Sequence, residues 1–334
     1  MADPNRPMNV SLTHMAQVAR GALPLWDIPK DAELDLINVS ENFTYLVTAP
    51  GGYKSVLRVH RQHYHSRRAI ACELAWMEAL LSDQVLPTPV PILGRNGEAI
   101  QQSAAAEQTE PRFFVLFEFI DGAAPSEEGD MSPHFEILGA MAARCHRHVL
   151  GWERPTPFER LTWDVDAVFG PAATWGNWRN APGVTPDIRA TLETVEAQVR
   201  ARLSAYGQDP ERFNLIHADM RLANLLVQGD DIRLIDFDDS GHGWFMYDFA
   251  AAISFIEDDP RIPELKAAWL RGYRQVRPLP PEDEAEIDTM IMLRRMALLA
   301  WIGTHIDAPE PQQLADGFAQ TTARLGAAWL ESLS

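Results

Sequence analysis

Ile216-His217-Ala218-Asp219-Met220-Arg221-Leu222-Ala223-Asn224, with Ile235-Asp236-Phe237-Asp238-Asp239 a short hairpin later, is the stretch on which the reading of the whole chain turns. Short β runs surround it: Phe213 to Ile216, Leu225 to Val227 and Ile232 to Ile235, the last two joined by Gly229-Asp230-Asp231. Carboxylates on short loops between apolar strands tend to lose their charge unless a cation compensates them. A divalent ion with phosphate is a natural compensator, since Mg²⁺ takes oxygen ligands and is held by one or two carboxylate or amide groups plus phosphate oxygens. Asn224 and Asp236 sit at opposite ends of the hairpin and can converge on such an ion. Asp219, earlier on the same loop, is placed to accept a proton from an attacking hydroxyl. The plainer reading, that these are turn-forming Asx residues, has to account for three polar positions at this spacing with apolar strands on either side.

Working towards the N-terminus, strand patterns dominate. Glu33 to Val39, Phe43 to Thr48 and Tyr53 to Val59 read as three strands, with Pro50-Gly51-Gly52 turning the second into the third. A short helix over 11–20, with Ser11 as cap and Gly21 as stop, precedes them. Ser66 caps a helix from Arg67 to Leu81 with Ile70, Leu74, Met77 and Leu81 on one face, and Pro87, Pro89 and Pro91 end it. Asn96-Gly97 predicts a hairpin within Ile92 to Ile100, and Arg112 to Ile120 is a nearly continuous apolar strand. Beyond Asp121-Gly122 the pattern becomes helical. Ser132-Pro133 and Thr185-Pro186 are cap-plus-proline starts, and from Tyr247 onward the chain is helical throughout. Strands first and helices afterwards predict an α+β chain in two lobes, residues 1–120 and 121–334.

Composition narrows the partners. Of 334 residues, 29 are Lys or Arg and 47 Asp or Glu, a net charge of −18, which argues against nucleic acid and anionic membranes. The first 120 residues carry 10 basic and 13 acidic groups and the rest 19 and 34, so a cationic acceptor would favour the C-terminal lobe. Two cysteines, Cys72 and Cys145, cannot build a disulfide framework, and no signal-peptide or membrane-length apolar run is present, so a cytoplasmic location is expected. Only three lysines occur: Lys30, Lys54 and Lys266.

His-x-Asp-x4-Asn, then a hairpin, then Asp-Phe-Asp-Asp is similar to the catalytic segment of the aminoglycoside phosphotransferase and homoserine kinase-like family. That family is a branch of the protein-kinase-like fold, and within it the chain most resembles the stress response kinase A-like subgroup. Protein kinases proper carry Arg where Ala218 stands and Gly where Asp238 stands. The resemblance implies ATP and Mg²⁺ as cofactors, Asp219 as catalytic base, and Asn224 and Asp236 as metal ligands. His217 and Asp248 would brace the catalytic loop. In the N-terminal lobe it implies a loop at Ser40-Glu41-Asn42-Phe43 over the phosphates, with Asn42 a nucleotide contact, and a third-strand cation paired with Glu73. Adenine would lie against the backbone of Glu118, Phe119 and Ile120. The cation is the main departure, because the strand reads Val56-Leu57-Arg58-Val59 where protein kinases have lysine. Arg58 fits better than Lys54, which lies four residues earlier at the mouth of the strand.

The expected reaction is transfer of the ATP γ-phosphate to an alcohol on a small molecule such as an amino-alcohol, aminoglycoside or sugar. Other readings are a Ser/Thr protein kinase, a nucleotide-binding pseudokinase suggested by Arg58, and, weakest, a metal-dependent hydrolase using Asp236, Asp238 and Asp239. Neither a Gly-x-Gly-x-x-Gly nor a P-loop occurs. His60, His63 and His65, and Cys145, His146 and His148, lack zinc spacing and read as solvated or interlobe residues. Trp175-Gly-Asn-Trp178 reads as aromatic packing more readily than as a substrate wall.

Overall fold

The longer strands precede residue 120 and most of the helices follow it in the computed structural model, which describes residues 12–39, 42–103, 112–229 and 231–333. Helix α1 (Leu12–Ala22) leads into β1 (Glu33–Val39), β2 (Phe43–Ala49) and β3 (Tyr53–Val59). Helix α2 (Arg67–Ser82) follows, then β4 (Pro91–Ile92), β5 (Ile100–Ser103) and β6 (Arg112–Glu118). These six strands form one antiparallel sheet in the order β1-β2-β3-β6-β4, with β5 also on β6. Helix α2 begins where expected, because the Ser66 hydroxyl accepts from the Ala69 amide at 3.0 Å. Its inner face is Ile70, Leu74, Met77 and Leu80; Leu81 is exposed. Helix α1 runs through Gly21 rather than stopping there, and Ser11 and residues 40–41 lie outside the described residues.

The expected hairpin at Asn96-Gly97 is a different object. Strands β4 and β5 do not pair with each other; both run antiparallel to β6, at Phe117–Leu116 and at Val115–Arg112. The turn between them is an excursion from one interrupted strand, closed by Asn96 Oδ1 accepting from the Glu98 amide and from Gln101 Nε2. An Asx-closed turn needs no strand ladder behind it.

Strand β6 is apolar on both faces because both are covered. Phe114 and Leu116 join Trp26, Phe43, Tyr45 and Leu57 under α1, while Val115 and Phe117 join α2 and the helical part of the chain. One large apolar core therefore runs from the sheet's inner face into the helices. Those are α3 (Ser132–Gly151), α4 (Val165–Phe169), α5 (Pro186–Tyr206), α6 (Tyr247–Ala252), α7 (Ile262–Arg274), α8 (Pro281–Ala285), α9 (Ile287–Thr304), α10 (Pro309–Leu314) and α11 (Phe318–Ser332). Helices α3 and α7 cross closely enough that a Cβ on Gly139 or Gly272 would lie within 2 Å of a carbonyl oxygen on the other helix. Between the helices run β7 (Leu161–Thr162), β8 (Phe213–Ile216), β9 (Leu225–Gln228), β10 (Asp231–Leu234) and β11 (Gly241–Trp244). They form the sheet β7-β11-β8 and the hairpin β10-β9. The hairpin lies against the end of the large sheet, where Ala123 bridges to Val227. Among the described residues no helix is long and apolar enough to cross a membrane.

Candidate active site

A cleft of about 680 Å³ lies between the six-stranded sheet and the helical part. Asn42, Arg58, Glu73, Glu118 and Ile120 line its sheet side, and Asp219, Asn224 and Asp236 line its opposite wall. His217 and Asp248 lie below that wall, buried.

The loop after β8 is built around a bend that the chain resists. Ala218 has φ +65°, a left-handed conformation unusual for a residue with a side chain. The fully buried Asp248 carboxylate holds it there. Its Oδ1 accepts from the Ala218 amide at 2.7 Å and its Oδ2 from the His217 amide at 3.3 Å. Asp248 is steadied in turn by His146 Nε2 at 2.9 Å, whose other nitrogen meets the Tyr273 hydroxyl at 3.1 Å. His146 therefore lies in neither of the settings read for it from sequence, neither solvated nor between lobes. Burial pushes the His217 imidazole below its ordinary pKa despite the nearby Asp248 and Asp219. Neutral His217 donates from Nε2 to the Ile235 carbonyl (3.2 Å) and accepts the Asp219 amide at Nδ1 (3.3 Å), tying the two loops together.

On that frame Asp219 is almost fully committed. Oδ1 pairs with Arg294 Nη2 at 3.1 Å and Arg221 Nε at 3.2 Å, and Oδ2 accepts from Asn224 Nδ2 at 2.7 Å. Burial raises the Asp219 pKa, but Arg221 and Arg294, helped by the Asn224 hydrogen bond, outweigh it and hold the carboxyl below its usual range. Asn224 Nδ2 also donates to the Asp219 carbonyl at 2.8 Å, so its amide orientation is fixed with the oxygen turned away from Asp219. Asp236, also at positive φ, is pushed up to about 7 by burial and by Asp238, Asp219 and Glu73, against the pull of Arg58. A carboxyl in that condition marks a place short of positive charge.

The Arg58–Glu73 pair is buried, not a surface contact: Arg58 Nη2 donates to Glu73 Oε1 at 2.7 Å, with the two residues 7% and 0% exposed. Lys54 instead reaches Asp121 at 4.0 Å and lies over the Phe119 ring. Arg58 also faces Asp238 at 3.6 Å, which His65 and His60 approach at 3.4 and 3.8 Å. Despite burial, the proximity of His65, Arg58 and His60 keeps the Asp238 carboxyl well below the ordinary range. Arg160, which no local sequence pattern singled out, holds the carbonyls of Phe237, Asp238 and Ser240 and that of Ala69 on α2. Because among the described residues Glu73 has only Arg160, at 3.8 Å, as a second cation, Arg58→Met should cost about 3 kcal/mol of stability or more. Urea unfolding would measure this, and a loss below about 1 kcal/mol would mean that the pair does not anchor α2 to the sheet.

The far end of the cleft is aromatic and mixed in charge. Trp175, Phe255 and Trp301 line it with Arg221, Arg294, Asp239 and Glu310. Trp178, by contrast, is a packing residue whose Nε1 donates to Glu196 at 2.9 Å. Arg294 went unnoticed in the sequence; its one signal is a pair of arginines inside the apolar helix α9.

Comparison with known proteins identifies the family. A family model described as the phosphotransferase enzyme family matches residues 36–279. A homoserine kinase of Gluconobacter oxydans is 28% identical over 257 residues, covering 72% of this chain and 76% of that protein. The solved structure of a microcompartment-associated aminopropanol kinase is 41% identical, with a TM-score of 0.87 over 95% of this chain and 98% of its own. The amicoumacin kinase hAmiN, solved with AMP-PNP and Ca²⁺, shares the fold at 19% identity, with a TM-score of 0.74 over 93% of each chain. With a family match over most of its length, the chain belongs to the phosphotransferase enzyme family and is a kinase that moves phosphoryl groups from ATP to a hydroxyl of a small molecule.

Proposed function

We propose that the acceptor is a small amino-alcohol and that Asp219 takes the proton from its hydroxyl. The observation that carries the assignment is the state of the Asp219 carboxylate. Arg294 donates to Oδ1 and Arg221 faces it as an ion pair, whereas Oδ2 has Asn224 as its one hydrogen-bond partner and a lone pair to spare at the cleft. An ionised oxygen with open capacity is what a general base for an alcohol requires.

Asn224 Oδ1 and Asp236 are the proposed Mg²⁺ ligands. Among the described residues no group of three or more His, Cys, Asp or Glu side chains is arranged to hold a metal. A site with one carboxylate and one amide fits an ion that takes most of its oxygens from phosphates and water. The raised Asp236 carboxyl supplies the independent support, since a divalent cation relieves the crowding that raises it. Bound there, Mg²⁺ would neutralise charge on the phosphates of ATP. Arg58, fixed by Glu73, offers its remaining hydrogens to the same phosphates. Asn42 Oδ1 accepts the Arg61 amide at 3.2 Å, which leaves its Nδ2 as a phosphate donor. The Glu118 amide already donates to the Val90 carbonyl at 2.9 Å, which directs adenine to the Glu118 carbonyl and the Ile120 amide.

For the acceptor, Asp219, Asp239 and Glu310 outnumber Arg221 and Arg294 at the aromatic end of the cleft, favouring a ligand with net positive charge. The rings of Trp175, Phe255 and Trp301 give an ammonium group π-faces as well. Likeness to an aminopropanol kinase and a homoserine kinase, both named for amine-bearing alcohols, supports the same class. ADP release should be fastest with aminopropanol or a related amino-alcohol, at least about tenfold above the matching uncharged diol in kcat/KM, a difference of about 1.4 kcal/mol. Equal turnover of the diol, or preferred labelling of a protein substrate, would overturn the acceptor assignment.

A further inference from the structure

Helix α9 buries two adjacent arginines, and only one is fully accounted for. Arg295 donates to Glu257 and Thr322 and stacks on the Phe318 ring at 3.5 Å. Arg294 is 2% exposed and lines the cleft. Its Nε donates to Ser254 Oγ at 3.0 Å and its Nη2 to Asp219 Oδ1 at 3.1 Å, but Nη1, equally buried, makes no hydrogen bond. The Tyr247 hydroxyl lies close enough to the guanidinium to interact with it electrostatically, but outside hydrogen-bond geometry. On the same wall Trp175 is 4% exposed, its ring 5.0 Å from the Arg294 guanidinium carbon, and its Nε1 is also unpartnered.

Arginine and tryptophan side chains only donate, so what these groups lack is an oxygen lone pair. A buried donor left without one costs about 1–3 kcal/mol, and here two such donors share one wall of the cleft. The oxygen that must arrive next to Asp219 during turnover is that of the acceptor alcohol. Arg294 lies at the Trp175–Trp301 end of the cleft, while Asn42 and Arg58 belong to the sheet side.

We propose that Arg294 is a catalytic residue that holds the acceptor hydroxyl in line: Nη2 fixes Asp219 Oδ1 while Nη1 donates to the oxygen whose proton passes to Asp219 Oδ2. The hydroxyl then replaces one arm of a two-armed arginine–carboxylate pair. One lone pair on its oxygen is taken by Arg294 and its hydrogen points at Asp219, so the remaining lone pair is directed at the γ-phosphorus. As the oxygen–phosphorus bond forms, the hydroxyl proton goes to Asp219, and the bond to ADP breaks with its electron pair leaving on ADP. The inference rests on Asp219 being the base, as proposed above.

Arg294→Lys keeps a positive charge beside Asp219 but cannot serve both oxygens. It should lower kcat about 100-fold, the cost of losing one oriented donor, with KM for ATP and ADP affinity within about threefold. In Arg294→Ala, added guanidinium ion should restore about tenfold of the lost kcat, which a merely structural role would not allow. ADP binding by calorimetry checks each variant's fold. Should neither variant bind ADP, Ser254→Ala decides: it frees Nε, lets the guanidinium turn, and should lower kcat about tenfold with ATP KM unchanged. If Asp219→Asn is inactive while Arg294→Lys keeps kcat within threefold, or while guanidinium restores nothing, the role given to Arg294 is wrong and the base stands. If Asp219→Asn remains active, the base assignment itself fails.

Discussion

Asp219→Asn is expected to lower kcat by about 10³-fold, within the range for loss of a positioned general base, while ADP·Mg²⁺ binding stays intact. The substitution keeps the side chain's size and removes its charge. Of the two oxygens, Oδ1 serves Arg294 and Arg221 and Oδ2 serves Asn224. An amide supplies one oxygen and one NH₂, so whichever way it turns, a donor faces a donor. The new residue cannot satisfy its neighbours and cannot take a proton from an alcohol. Two arginines, formerly paired with a carboxylate, are left with excess positive charge at the edge of the phosphate site, so nucleotide affinity should be unchanged or tighter. Titration calorimetry with ADP, alongside coupled-assay turnover, separates the two effects. Turnover within tenfold of the parent protein would remove Asp219 from the chemistry, and lost ADP binding would make it a residue of the fold instead.

The parts of this site that were legible in sequence are those that one local segment carries. Asp219, Asn224 and Asp236 fall on one loop–hairpin–loop, where the short strands fix their spacing, and all three line the cleft. Arg58 and Glu73 are accessible because one strand and one capped helix define them both, and the apolar flanks and the spacing to Glu73 set Arg58 apart from Lys54 on the same strand face. The acceptor end was not legible, because its residues come from elements far apart in the chain. Arg294 meets Asp219 across 75 positions, and Tyr64 meets Asp239 across 175. No periodicity registers such pairs. What sequence offers instead is an anomaly of solvation: an arginine pair inside a helix that is apolar on every side. The same holds for Arg160 in an irregular connection, whose partners are mostly backbone carbonyls and leave no compositional trace. The Asn96-Gly97 turn failed in the opposite way. Its local signal was strong, but both flanking strands found a better partner in β6.

Asp236→Asn should abolish phosphoryl transfer and yet make the nucleotide-free protein more stable above neutral pH. Asp236 stands among carboxylates, and burial together with Asp238, Asp219 and Glu73 lifts its pKa to about 7, despite Arg58. In the unfolded chain the same group titrates near 3.9. The folded protein thus binds this proton more tightly than the unfolded one. Its contribution to stability is complete below about pH 4 and is lost as pH climbs through about 7. At pH 8 the nucleotide-free protein carries an ionised carboxylate with too little positive charge around it. An asparagine there removes the titration and the repulsion together. The variant should melt a few degrees higher than the parent at pH 8, and the gap should close by about pH 5. ADP·Mg²⁺ should reverse the order at pH 8, because a cation held by Asp236, as proposed, would stabilise only the parent. Melting curves at the two pH values, with and without ADP·Mg²⁺, give all four comparisons. An equal ligand-induced shift in both proteins would remove Asp236 from the metal site, and a parent no less stable than the variant at pH 8 would mean that the fold already neutralises this carboxylate without a metal.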